Sequence, residues 1–242
     1  MVEKNSINFS SSDFDITLGV FELDAAVLKS VSTDAGSATP ASHTITIAGT
    51  NGITTDAVGD VVTLTASGGS SDYVFISSAT ANNSASISFT GLSSTYFAYI
   101  VVIDALVPIT DATTLRIRTS TDNGANYDAG ASDYNWTSVS VDTASASAKL
   151  SDISDSEIEL NNVTGTQANE KINLLVTIYN PSSTKLTTIQ VDGTHYSSTP
   201  AGLFWLMQGC RISAADVDAI QFIMSSGNIS SGVFKLYGVV AS

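Results

Sequence analysis

From Asp72 onward the chain alternates. Ser86-Ile87-Ser88-Phe89 sets apolar against polar with a period of two, and so do Thr114 to Arg118, Trp136 to Val141 and Glu157 to Leu160. Lys171 to Tyr179, Thr184 to Val191, Ala219 to Met224 and Val233 to Val240 continue the pattern. Successive side chains of a strand point to opposite faces, so this rhythm predicts half-buried β-strands. Turn formers fall between the runs: Asp122-Asn123-Gly124, Gly130, Asn161-Asn162, Asn180-Pro181, Asp192-Gly193 and Gly227-Asn228. Short strands punctuated in this way predict an antiparallel β-sandwich of jelly-roll type. Helical periodicity is scarce, and Ala214 to Ala219 predicts a single turn at most.

The first quarter of the chain reads differently. Thr44 to Ala66 gives three Thr-rich pieces, TITIAG, ITTDA and DVVTLTA, cut at Asn51-Gly52 and Gly59-Asp60. Phe9, Phe14 and Phe21 are the aromatics before the small-residue run Ala66-Ser67-Gly68-Gly69-Ser70-Ser71, whereas Tyr73, Phe75, Phe89, Tyr96, Phe97 and Tyr99 crowd in after it. We therefore divide the chain into residues 1–67, a linker 68–71, and a sandwich domain 72–242. Residues 1–67 are too poor in large apolar side chains to bury a core alone. Three identical chains wound about one axis can build that core between them from Ile45, Ile47, Ile53, Val61, Val62 and Leu64. The expectation is an all-β homotrimer, an N-terminal intertwined shaft followed by a C-terminal β-sandwich head. The simpler alternative is that the first segment adds a pair of hairpins to the sandwich.

Composition removes several classes of function. Hydrophobic residues make up 43% of the chain, enough for a core, but charged residues only 13%, and the net charge is −14. Such a surface repels the phosphates of nucleic acid and of anionic membranes. No apolar run is long enough to span a bilayer as a helix, and the start of the chain has no signal-peptide pattern, so synthesis in the cytoplasm without export is expected. One cysteine, Cys210, rules out an internal disulfide and reads as a small buried hydrophobe.

Phe9 to Ile16 (FSSSDFDI), Val27 to Val31 (VLKSV), Thr33 to Pro40 (TDAGSATP) and Ile47 to Ile53 (IAGTNGI) together resemble the shaft of fibrous virion proteins of tailed bacteriophages. SSATANNSASISFTGL, LRIRTSTDNGANYDAGASDYNW and SGVFKLYGV resemble a module of the same virion proteins, so the likeness covers most of the chain. It implies a virion structural protein that binds itself as a trimer, other virion proteins through its N-terminal region, and host-surface glycan through its head. The shaft pattern begins close to Met1, which leaves room for a second placement as a capsid decoration or head-fibre protein. A polysaccharide-degrading enzyme is the third reading.

Candidate chemistry is sparse. Asp192, His195 and Ser197 are near in sequence, but no nucleophile motif surrounds any serine. Glu157 and Glu159 share one strand face and could serve a glycosidase, although a pair of solvated charges is the expected reading. Asp152, Asp155, Glu157 and Glu159 fit no defined calcium loop, so no metal and no cofactor is expected. Ser120 to Tyr127 matches the Asp-box pattern, read as a hairpin device in which Asp122 accepts backbone N–H bonds, Gly124 takes positive φ and Tyr127 packs beneath. For carbohydrate, which wants aromatic faces beside planar polar groups, the candidates are Tyr134, Asn135 and Trp136, beside Asp133, and His195 with Tyr196. Trp205, in the run LFWLM, is expected in the core.

Overall fold

The computed structural model divides into two compact units, Met1–Ser70 and Ser71–Ser242. It describes residues 72–143, 146–167, 169–197 and 202–240, and in the first unit the backbone of six strands. Those six form three antiparallel hairpins: β1 (Phe14–Thr17) with β2 (Val20–Leu23), β3 (Val31–Thr33) with β4 (Gly36–Ala38), and β5 (Ile53–Val58) with β6 (Val61–Ala66). Each is a two-stranded sheet by itself, and an isolated two-stranded hairpin is marginal in water. In the third hairpin the register is Ile53↔Ala66, Thr55↔Leu64 and Ala57↔Val62, so four of the expected shaft residues, Ile53, Val61, Val62 and Leu64, lie on its two strands. Val58 pairs with Val61 at the turn end of this hairpin. Ile45 and Ile47 lie outside the described residues, as does His43.

The second unit is all-β, with no helix among the described residues. Its twelve strands are β7 (Tyr73–Ser84), β8 (Ser86–Thr90), β9 (Ala98–Pro108), β10 (Leu115–Ser120), β11 (Tyr134–Asp142), β12 (Ser147–Asp155), β13 (Ile158–Glu159), β14 (Ile172–Tyr179), β15 (Thr188–Tyr196), β16 (Gly202–Arg211), β17 (Ala219–Met224) and β18 (Ile229–Val239). The larger sheet runs β12-β11-β16-β15-β14-β9-β18-β7 and the smaller β13-β10-β17-β8, every pairing antiparallel. A jelly roll has eight strands in all. Here the eight of one sheet stand against four, so the larger sheet is much the wider layer.

Alternation decides which side chains meet between the layers. On the larger sheet Tyr99, Val101, Ile103, Leu174, Val176, Ile178, Ile189, Val191, Trp205, Met207, Phe234 and Leu236 point inward. Ile87, Phe89, Leu115, Ile117, Ile220, Phe222 and Met224 meet them from the smaller sheet in one continuous core. Phe222 and Phe234 pack across the layers with ring centroids 5.3 Å apart. Burying each such side chain stabilises the fold by roughly 1.5–3 kcal/mol.

Three sequence readings are corrected here. Asp192-Gly193 is not a turn: β15 continues through both residues to Tyr196. A Cβ at Gly193 would lie 2.2 Å from the Asn173 carbonyl oxygen on β14, so close strand approach, not a reversal, requires the glycine. Ala214 to Ala219 forms no helical turn, because Val217 N–H donates to the Pro181 carbonyl at 2.8 Å and Asp216 bridges Ser182. The strand expected from Thr184 starts only at Thr188, since the Ser183 hydroxyl takes the Lys185 N–H at 3.1 Å and holds a local turn.

Candidate binding site

The outer face of the larger sheet has no strand laid over it among the described residues. Apolar side chains nevertheless stand on it. The run Leu203-Phe204-Trp205-Leu206-Met207 is apolar throughout, and a strand can send only alternate members inward. Trp205 and Met207 are buried, while Phe204 is 49% and Leu206 38% exposed. Cys210 also lies on this outer face, half-buried, its thiol 3.0 Å from Asn135 Oδ1, so the expectation of a core cysteine is corrected. Partial burial raises its pKa above the ordinary thiol value.

Cross-strand register builds a row Val141–Phe204–Thr194–Asn173 over four strands. This row floors a depression of about 580 Å³, closed at the strand ends by Tyr196, Lys171 and Asp142. The Tyr196 ring lies against Gly202, where an added Cβ would sit 3.5 Å from Cε2. Asn173 Oδ1 accepts the Ala105 N–H at 2.8 Å, which fixes the amide and leaves its NH₂ as donor. Two exposed aromatic rings, an amide and an ammonium thus converge at one end of the sheet, opposite the end where β7 begins. Phe204, Asn173 and Lys171 were missed from sequence. The signal for Phe204 was the alternation inside LFWLM itself.

The candidates chosen from sequence are scattered. His195 and Tyr196 are adjacent on β15 and face opposite ways, Tyr196 outward at 38% exposure and His195 inward at 2%. Both residues line the same depression, but of the two only Tyr196 presents its side chain to water. Neither ring nitrogen of His195 has a hydrogen-bond partner, nor does Trp205 Nε1, which belongs to the indole packed edge-on against the imidazole at 5.9 Å. Burial pushes the His195 pKa down to about 4, so the ring is neutral at physiological pH. Asp192 lies on the outward face with Tyr196, away from the imidazole, which removes a triad with Ser197.

Tyr134 and Trp136 are buried and Asn135 projects to the other face, so the Tyr-Asn-Trp platform is corrected as well. The Tyr134 hydroxyl accepts the Thr119 N–H at 2.8 Å and donates to the Asp128 carbonyl at 3.2 Å. Desolvation pushes its pKa up to about 12. Trp136 Nε1 donates to Asp155 Oδ2 at 3.0 Å.

Glu157 is not a solvated charge either. It is 6% exposed and accepts from Arg116 and from Arg118 Nε at 2.9 Å, while Arg116 also reaches Glu159 at 2.7 Å. Glu157 is thus held by two guanidiniums and Glu159 by one, and these oxygens are already engaged in charge-assisted hydrogen bonds. Asp152 accepts the Ser154 N–H at 2.9 Å, and among the described residues no three His, Cys, Asp or Glu side chains are grouped to hold a metal ion.

In the Asp-box, Asp122 accepts from Ser120 Oγ at 2.8 Å, from the Asn126 N–H at 2.8 Å and from Asn126 Nδ2 at 2.7 Å. These bonds, led by the Asn126 side chain, hold its carboxyl below the usual range. Gly124 has φ +82°, and a Cβ there would meet the Tyr127 hydroxyl at 2.8 Å. Asn123 N–H donates to Asp218 at 2.8 Å and Asn123 Oδ1 accepts from Gly91 at 3.0 Å, so the turn is tied to two neighbouring loops.

No family model, curated protein or solved structure matches this chain.

Proposed function

We propose that the chain is a homotrimeric structural protein of a tailed-phage virion, with residues 1–67 as shaft and the sandwich as an adhesive head that takes host-surface glycan. The shaft and head motifs of the sequence support the virion reading. The observation that carries adhesion is the depression at Tyr196 and Phe204, where two exposed aromatic faces stand beside the Asn173 amide and the Lys171 ammonium. Sugar rings offer C–H faces for stacking and hydroxyls for such donors. Binding rather than catalysis is favoured by the neutral, buried His195 and by carboxylates already held in ion pairs.

Light scattering of the full chain should return three times 25.1 kDa at micromolar concentration. Tyr196→Ala and Phe204→Ala should each weaken binding to purified host polysaccharide at least tenfold in protein that circular dichroism shows to be folded, since each ring is partly exposed and outside the core. A monomer would sink the fibre. Undiminished polysaccharide binding would sink the site, and release of reducing sugar would favour a depolymerase.

A further inference from the structure

The end of the sandwich where β7 begins is an apolar rim. Tyr73 and Phe75 are each 56% exposed and Phe97 is 50% exposed, and Ile76 on the same strand and Val240 are exposed as well. Backbone bonds place them together: Val240 N–H donates to Asp72 at 3.0 Å and Phe97 N–H to Val239 at 3.1 Å. A fully buried aromatic removes about 150–250 Å² from water, so half-exposed rings and their aliphatic neighbours leave on the order of 500 Å² here. That is as large as the biggest apolar patch a soluble monomer ordinarily carries.

The sheet edge at this rim is also unguarded. β7 is an edge strand of twelve residues, YVFISSATANNS, without a charge, a proline or a glycine. The opposite edge, β12, carries Lys149, Asp152 and Asp155. Exposed edges are normally protected from association by such charges, so one edge is defended and the other is not.

We propose that this rim, with the first half of β7, is the head-to-head contact between copies of the chain. The inference rests on the homotrimer reading above. Its occupant follows from covalent continuity: only Ser67-Gly68-Gly69-Ser70-Ser71 separates β6 from Asp72, a reach of no more than roughly 20 Å. Chains joined through the first unit therefore begin their heads close to one another, and each head begins at Tyr73. Chains this acidic repel, so the contact falls on β7, a strand without a charged residue, with Asp72 at its border.

The test uses the full chain with Cys210→Ser, so that each engineered thiol is alone. In the Ile76→Cys variant, mild oxidation should give disulfide-linked dimers within the trimer, whereas Ile109→Cys, at the far end of the sheet, should give none. Phe75→Glu with Phe97→Glu should lower the head's fluorescence melting temperature by about 5 °C or more in a species that is still trimeric, and Ile109→Glu should not. Trimers without an Ile76 cross-link and with unchanged melting would overturn the contact and leave the shaft standing. A monomeric parent chain would overturn both.

Discussion

His195 makes the stability of the sandwich unit fall with acid. Its folded pKa is about 4 against an ordinary value of 6.5, because the buried ring meets no partner for either nitrogen. A base with a depressed folded pKa is protonated first in the unfolded chain. Between pH 6.5 and 4 the unfolded state therefore binds more protons, and stability drops as pH falls. The slope approaches 1.4 kcal/mol per pH unit, the total nears 3 kcal/mol, and about 2 kcal/mol is lost between pH 7 and pH 5. Asp122, held below the ordinary value of 3.8, acts only at lower pH, where its stabilisation is lost as the carboxylate protonates. The assay is urea unfolding at fixed protein concentration at pH 7, 6 and 5, a range above the pI of about 4.1. Trp205 fluorescence reports it directly, since the indole touches the imidazole. His195→Leu removes two unpaired nitrogens from an apolar setting, so it should be neutral or stabilising at pH 7 and should flatten the pH slope. A parent protein equally stable at pH 7 and pH 5, or a His195→Leu variant that keeps the slope, would refute the reasoning.

Three further outcomes are expected. Glu157→Gln leaves Arg116 and Arg118 facing each other without their shared anion, and should cost about 3 kcal/mol in urea unfolding at neutral pH. Gly193→Ala forces a methyl to within 2.2 Å of the Asn173 carbonyl oxygen, so β14 and β15 must part, with a loss of roughly 2–3 kcal/mol or insoluble expression. Asp122→Ala should lower the melting temperature while folded protein still binds polysaccharide normally, and an unchanged melt with lost binding would make the turn part of the recognition site.

Much of the fold is legible in the sequence because period-two alternation is a local property. β10, β14 and β17 carry it cleanly, and their inward sets Leu115/Ile117, Leu174/Val176/Ile178 and Ile220/Phe222/Met224 are what the alternation implies. Glycine is ambiguous in the same text. Asp192-Gly193 and Asn123-Gly124 look alike, yet only the second turns, and what separates them is a strand from elsewhere in the chain pressed against Gly193. The ion pairs illustrate the same limit. Arg116 and Arg118 are two apart, Glu157 and Glu159 are two apart, and each doublet alone reads as solvated charge. Only the pairing of β10 with β13 brings the doublets together and buries Glu157.

The candidate site was lost for a different reason, and alternation could have recovered it. Tyr134-Asn135-Trp136 and His195-Tyr196 were grouped because they are neighbours in sequence, but neighbours on a strand never share a face. Applied strictly, the rule pairs Tyr196 with Thr194 and sets both against Phe204 and Gly202 on the next strand. It also splits LFWLM into Trp205, needed by the core, and Phe204, which the core cannot reach. A residue that is large, apolar and denied to the core has to be covered by something else. On the sandwich unit two groups of such residues stand at opposite ends, Tyr73, Phe75 and Phe97 where the chain begins β7 and Tyr196 with Phe204 opposite, while Ile153 stands apart on the edge strand β12; the first group is the one proposed to meet another copy of the chain and the second a ligand.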